Sequence, residues 1–259
     1  MPDIVVINES TVVRDEDLMI WTRAVQRQLD EHVAPFWGVT AKLHNIPKGT
    51  PRPTTGDWWM VILDDTDMAG ALGYHDLGHQ GQPMGKVFAR TVLNEGWGAL
   101  ESPSRVLSHE TIELLVDPNM VRIIDLPDAE YLVEVGDPVS LPTQGYSIGN
   151  VLVSDWATPA YYHYNTDTRY DHEGYLTAPC PAMVHGSYLM YRRPGTLPWQ
   201  NKQMLVGTEG PELDRLRYLM RPRQGSRRNR RMIGRTDWIR STAAPPPDLA
   251  DLAQATYRP

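Results

Sequence analysis

The chain has 259 residues, 41% of them hydrophobic, and a net charge of −7, enough for one sizeable packed domain or two small ones. No apolar run approaches the length of a membrane span, and the opening M-P-D-I-V-V-I-N-E-S lacks the basic and long apolar parts of a secretory leader, so neither a membrane partner nor export by that route is expected. Cys180 is the single cysteine, which excludes internal disulfides and cysteine-based zinc fingers.

In chain order, Asp3 to Ile7 is a short β-branched run and reads as a first strand. Asp15 to Val33 places Leu18, Trp21, Val25 and Leu29 at helical spacing behind three acids that suit the positive end of a helix, and Ala34-Pro35 should end it. Trp37 to Ile46 is expected as a strand, and a proline-rich loop follows. Trp58 to Leu63 is almost continuously apolar, the pattern of a strand buried on both faces. Asp64, Asp65 and Asp67 lack EF-hand spacing and read as a solvated turn. Ala71 to His75 and Gly85 to Arg90 are expected as two strands around a glycine-rich loop. His75 and His79 are four apart, but Gly78 and Gly81 argue against a helix, which predicts structural or rim roles for them rather than a ligand pair. This order of elements predicts an α+β fold with a mixed sheet.

The most informative stretch is S-P-S-R-V-L-S-H-E-T-I-E-L-L-V-D-P, residues 102 to 118. Ser102 suits a helix cap, Pro103 suits the first helical position, and Asp117-Pro118 ends the segment. His109 and Glu113, four apart, then share one face with Glu110 between them. The pattern H-E-x-x-E invites comparison with the zinc-peptidase pattern H-E-x-x-H, in which two ligands one turn apart hold the metal and the glutamate between them acts as base. Here the second ligand is a carboxylate, acceptable to zinc and also to manganese, calcium or magnesium. Downstream, Y-L-V-E-V-G-D-P-V offers Glu134 and Asp137 as alternatives for a third ligand. Glu134 ranks first; Asp137 ranks second, as a ligand or as an acceptor orienting His109.

Beyond the motif, Tyr131 to Val135 and Val151 to Trp156 are expected as strands. The tyrosine-rich segment around residues 157 to 175 is expected to cover a core edge rather than to stabilise an oxyanion. Residues 176 to 214 form an irregular, loop-rich extension with no core of its own, and 215 to 259 an arginine- and proline-rich arm. Residues 1 to 214 carry 14 Lys+Arg against 29 Asp+Glu, a balance of −15, whereas the arm carries 11 against 3, or +8. The arm, through Arg221, Arg223, Arg227, Arg228, Arg230 and Arg231, is suited to docking on an acidic partner, on nucleic acid, or on the acidic body of a second copy.

Four pieces together carry a family resemblance: A-P-F-W-G at 34 to 38, A-L-G-Y-H-D with G-Q-P-M-G-K-V-F at 71 to 88, L-S-H-E-T-I-E-L-L-V-D-P at 107 to 118, and V-E-V-G-D-P-V followed by V-S-D-W-A-T-P-A-Y-Y. On them, residues 4 to 165 resemble a group of largely uncharacterised zincin-like proteins of bacteria and phages. The resemblance implies a zincin-like domain over 1 to 175, with the motif helix backing a mixed sheet and an edge strand, Lys86 to Arg90, lining the cleft. It also implies zinc held by His109, Glu113 and a ligand from the Glu134/Asp137 segment, with Glu110 as general base toward a peptide or protein substrate. Glu113 departs from the peptidase pattern. The long arginine- and proline-rich extension favours a second expectation, a non-catalytic phage virion protein on the same scaffold, which the basic arm joins to itself or to other virion proteins. The expected setting is the host cytoplasm, the virion, or both.

Overall fold

The computed structural model describes residues 1–51, 57–68, 71–95 and 101–193, and the backbone of 200–203. The Arg/Pro-rich arm, 215 to 259, lies outside the described residues.

Strand β1 (Asp3–Asn8) opens the chain, and helix α1 (Asp15–Gln28) follows. The helix does not stop at Ala34-Pro35 as expected. It continues through a wide π turn, Leu29–Val33, into a short helix α2 (Ala34–Trp37) that ends at Gly38, φ 65°. The wide turn directly precedes Pro35, whose ring in a regular helix would meet the carbonyl four residues back, so the widening lets the helix pass the proline. The next strand is correspondingly shorter than expected, β2 (Lys42–Ile46).

Strand β3 (Trp58–Leu63) is buried on both faces through Met60, Val61 and Ile62, as its apolar run predicts. Then come β4 (Gly73–Leu77), β5 (Pro83–Phe88), a short helix α3 (Ala89–Glu95) and the motif helix α4 (Pro103–Val116). These strands form one mixed sheet in the order β2-β1-β3-β5-β4, parallel throughout except for the antiparallel β4. This corrects the edge strand. Residues 83 to 88 pair on both sides, Val61 with Lys86 and Tyr74 with Lys86, so β5 is interior and β4 is the edge. Ala89 and Arg90 already belong to α3.

Helices α1 and α4 pack on one face of the sheet, and Ile4, Val6, Met60, Ile62 and Val87 meet Leu18, Val25, Leu29, Leu107 and Leu115 in the main core. Val5, Ile7 and Val61 form a smaller cluster on the opposite face with Ile46, Trp59 and Leu63. Each aliphatic side chain so buried contributes roughly 1.5–3 kcal/mol relative to exposure. The architecture is thus α+β, with a mixed sheet and a long N-terminal helix.

After α4 the chain adds β6 (Ile123–Asp125), β7 (Glu130–Leu132), the hairpin β8 (Tyr146–Ile148) and β9 (Val151–Val153), then β10 (Tyr188–Arg192) and β11 (Gln200–Gln203). A second, antiparallel sheet runs β11-β10-β7-β6. Leu176, Cys180, Met183 and Leu189 join the main core.

Two buried acids fasten the segment after β9. Asp155 accepts hydrogen bonds from the backbone amides of Trp156 (2.7 Å), His172 (3.2 Å) and Glu173 (3.2 Å), and Asp171 accepts from those of Tyr175 (2.7 Å) and Leu176 (2.9 Å). Burial first, and the neighbouring Asp171 second, push the Asp155 carboxyl up to about 9.

Candidate metal centre

Ser102 caps α4, its hydroxyl accepting from the Ser104 amide at 3.3 Å, and Pro103 takes the first turn. At the other end Asp117 accepts from the Arg122 amide at 2.7 Å, so this acid shapes the exit turn and does not enter the site. The periodicity predicts a helix with one buried side, but all residues of α4 are buried, His109, Glu110 and Glu113 among them. Burial of these polar groups demands partners inside the protein.

Those partners come from two other elements. Edge strand β4 brings His75, and the loop after β7 brings Glu134, Gly136 and Asp137. His109 Nε2 lies 3.4 Å from Glu113 Oε1 and 3.4 Å from Asp137 Oδ1. His75 Nδ1 lies 3.4 Å from Glu113 Oε2 and 3.5 Å from Glu110 Oε2, while its Nε2 lies 3.3 Å from Glu134 Oε2. No member of this six-residue cluster exceeds 7% exposure.

These separations are informative. A good hydrogen bond between such atoms spans roughly 2.7–3.0 Å, whereas two donors bound to one ion at about 2.0–2.1 Å in a tetrahedron stand about 3.3–3.4 Å apart. The cluster has the second spacing. Ligand atoms of His109, Glu110 and Glu113 fall within 4.8 Å of one another, as do those of His75, Glu113 and Glu134. The donors present are of the type a divalent cation takes, and three at a time they lie close enough to share one.

Local packing holds them in place. Gly136 donates its amide to Glu113 Oε1 at 3.1 Å. Its backbone, φ −85°, is one that any residue adopts; the glycine is required by space, because a Cβ there would sit 2.4 Å from His109 Cε1 and Nδ1. Gly73 similarly lets β4 approach α4, since a Cβ would meet Val106 Cγ1 at 2.6 Å and Glu110 Oε1 at 2.9 Å. Behind the ring, His109 Nδ1 is 3.3 Å from Ser154 Oγ, an arrangement that leaves Nε2 facing the carboxylates. Ser154 is itself fixed. Its amide donates to Ser108 Oγ (3.0 Å), Ser108 donates to Gln28 Oε1 (2.6 Å), and Gln28 returns a bond to the Ser154 carbonyl (2.8 Å), tying α1, α4 and β9 together.

The charge environment is strongly acidic. Burial lowers the His109 pKa, but Glu113, Asp137 and Glu110 together outweigh it and raise the imidazole to about 9. Without a bound cation the site thus draws protons onto its histidine. Among the described residues, the buried cations are engaged with acids outside the cluster: Arg105 with Glu101, and Lys86 with Asp67 at 2.5 Å.

All five motif-derived residues, His109, Glu110, Glu113, Glu134 and Asp137, come together. Of the alternatives for a third ligand, Asp137 stands beside His109 and Glu134 faces His75. Tyr162 is buried in the main core, with its hydroxyl donating to the Glu134 carbonyl at 2.7 Å. His75, expected in a structural or rim role, is the member outside the motif; it is fully buried and so does not sit on a rim. Gly73 and His75 in a strand share one face, and a small residue two before a histidine was the available signal. The six arm arginines, Arg221, Arg223, Arg227, Arg228, Arg230 and Arg231, lie outside the described residues. Comparison with known proteins finds no matching family model, no matching curated protein and no matching solved structure.

Proposed function

We propose that the chain is a divalent-metal protein of zincin-like architecture, with His109, Glu113 and Asp137 as ligands and metal-assisted hydrolysis of a peptide as its chemistry. The observation that carries this reading is the 3.4 Å spacing of Glu113 and Asp137 oxygens about His109 Nε2. Two helices on one face of a mixed sheet, with an antiparallel strand at its edge beside the motif helix, support the architecture. Zinc suits the ligand set, and the carboxylates also admit manganese.

The ion, when bound, supplies Lewis-acid polarisation and acidifies water. Glu110, next to His109 on the same helix turn, takes a proton from the attacking water and returns it to the leaving nitrogen. Gly136 and Ser154 keep Glu113 and His109 aimed. The test measures metal content and peptide hydrolysis together. Wild type should hold metal and hydrolyse; His109→Ala should lose metal; Glu110→Gln should keep metal and lose hydrolysis. An active Glu110→Gln variant sinks the mechanism.

One observation favours a second reading. The centre is almost fully enclosed, the habit of structural metal sites rather than of catalytic ones, which keep an open position. On this reading the ion staples α4 to the 134–137 loop in a virion component, and the basic arm drives assembly. Normal assembly after deletion of 215 to 259 would count against it.

A further inference from the structure

The proposed ion at His109 draws on one side of the cluster. His75, Glu134 and the second oxygen of Glu113 lie on the far side, and Glu113 presents one oxygen to each group: Oε1 toward His109 and Oε2 toward His75. Ligand atoms of His75, Glu113 and Glu134 lie within 4.8 Å of one another, and so, as a separate group, do those of His109, Glu110 and Glu113, with Glu113 common to both. All of these residues are buried, none more than 7% exposed. Glu110 Oε2, buried and without a hydrogen bond, points into the same space, 3.5 Å from His75 Nδ1.

We propose that this is a two-cation centre, in which His75, Glu113 and Glu134 hold a second divalent ion and the Glu113 carboxylate bridges the two. The inference rests on the reading of His109, Glu113 and Asp137 as the first site. Centres of this kind place their ions roughly 3.5–4 Å apart, a separation that one bridging carboxylate spans. The donors, imidazole and carboxylate, suit zinc and manganese. The second ion also gives β4 a role: it joins the sheet edge to α4 and to the loop after β7, through a histidine whose side chain is fully buried.

The competing account on the same geometry makes His75 an imidazolium that serves as a built-in counter-ion, with only one ion bound per chain. The two are separated by stoichiometry and by spin coupling, not by activity. Wild-type protein and His75→Gln are stripped with a chelator, loaded with excess Zn²⁺ or Mn²⁺, freed of unbound metal and submitted to elemental analysis, and the manganese forms to electron paramagnetic resonance. The expected result is two ions per wild-type chain with either metal and an exchange-coupled manganese spectrum. His75→Gln should hold one ion per chain and show an isolated six-line spectrum. One ion per wild-type chain with both metals, or two in a folded His75→Gln variant, overturns the proposal. If His75→Gln fails to fold, wild-type stoichiometry and coupling decide alone. Failure at one ion leaves the first site standing, whereas no bound metal removes both readings.

Discussion

Replacing Gly136 by alanine adds one methyl group to a loop that donates no metal-binding atom of its own at that position. The added Cβ would lie 2.4 Å from two atoms of the His109 ring and 3.0 Å from a third, whereas carbon contacts settle at roughly 3.5–4.0 Å. The ring or the loop must therefore retreat by about 1 Å. The ring has little room, because Ser154 Oγ stands by Nδ1 and the helix carrying it is buried on every side. If the loop retreats instead, the Gly136 amide leaves Glu113 Oε1 and Asp137 moves away from Nε2. Either way the ligand atoms shift by much more than the roughly 0.2 Å that metal sites tolerate. Metal affinity should fall about 10–100-fold or further, the range seen for lost supporting contacts, while overpacking costs the metal-free fold about 1–3 kcal/mol. Competition against a chromogenic chelator measures the first quantity, and denaturant unfolding in chelator measures the second. Wild-type affinity in Gly136→Ala would refute the argument that the glycine is there to make room for His109.

Other outcomes follow from the same contacts. Ser154→Ala removes the hydroxyl beside His109 Nδ1 and should weaken metal binding about 10–100-fold, with about 1 kcal/mol lost from the metal-free fold, both read in the same titrations. Chelation should lower the unfolding temperature, because at a ligand excess of 100 Kd binding adds about 2.7 kcal/mol to stability; an unchanged transition would mean that no ion is bound. Arg105→Ala strands Glu101 in the interior, where the pair is at most 5% exposed, and should cost about 3–5 kcal/mol, with much of it recovered when both residues are made apolar. Asp155 ionises near pH 4 in an unfolded chain but keeps its proton up to about 9 in the fold. Between these values only the folded state binds the proton, so its contribution is full below pH 4 and is lost as pH rises toward 9, at up to about 1.4 kcal/mol per unit. Asp155→Asn, neutral throughout, should flatten that decline and gain on wild type at pH 8.5; parallel pH profiles from denaturant titrations would rule this out.

The motif helix was readable because both its signals are local: Ser102-Pro103 at the start and Asp117-Pro118 at the end. Strand β3 was readable from an apolar run that suits burial on two faces. The sheet edge was not, because whether 71 to 77 or 83 to 88 lies outermost depends on which of them pairs with Trp58 to Leu63, a contact between distant residues that no local pattern encodes. His75 was missed for a related reason. The glycines at 78 and 81 correctly argue against a helix, but the relevant spacing is that of a strand, in which Gly73 and His75 face α4 together. The helix past Pro35 depends on a wide turn, whereas the proline read by itself marks a stop, and β6 is too short for its alternation to register.

Helix α4 has no outer face. In a saturation library α1 should show a periodic map, tolerant at Met19, Ile20, Arg23 and Arg27, which point to solvent, whereas residues 103 to 116 should form one unbroken block of intolerance. A helix so enclosed offers selection almost no neutral steps through which to drift. New properties of this protein must then arise in the loops and the edge strand that surround the histidine–carboxylate cluster, while the helix at its centre stays frozen.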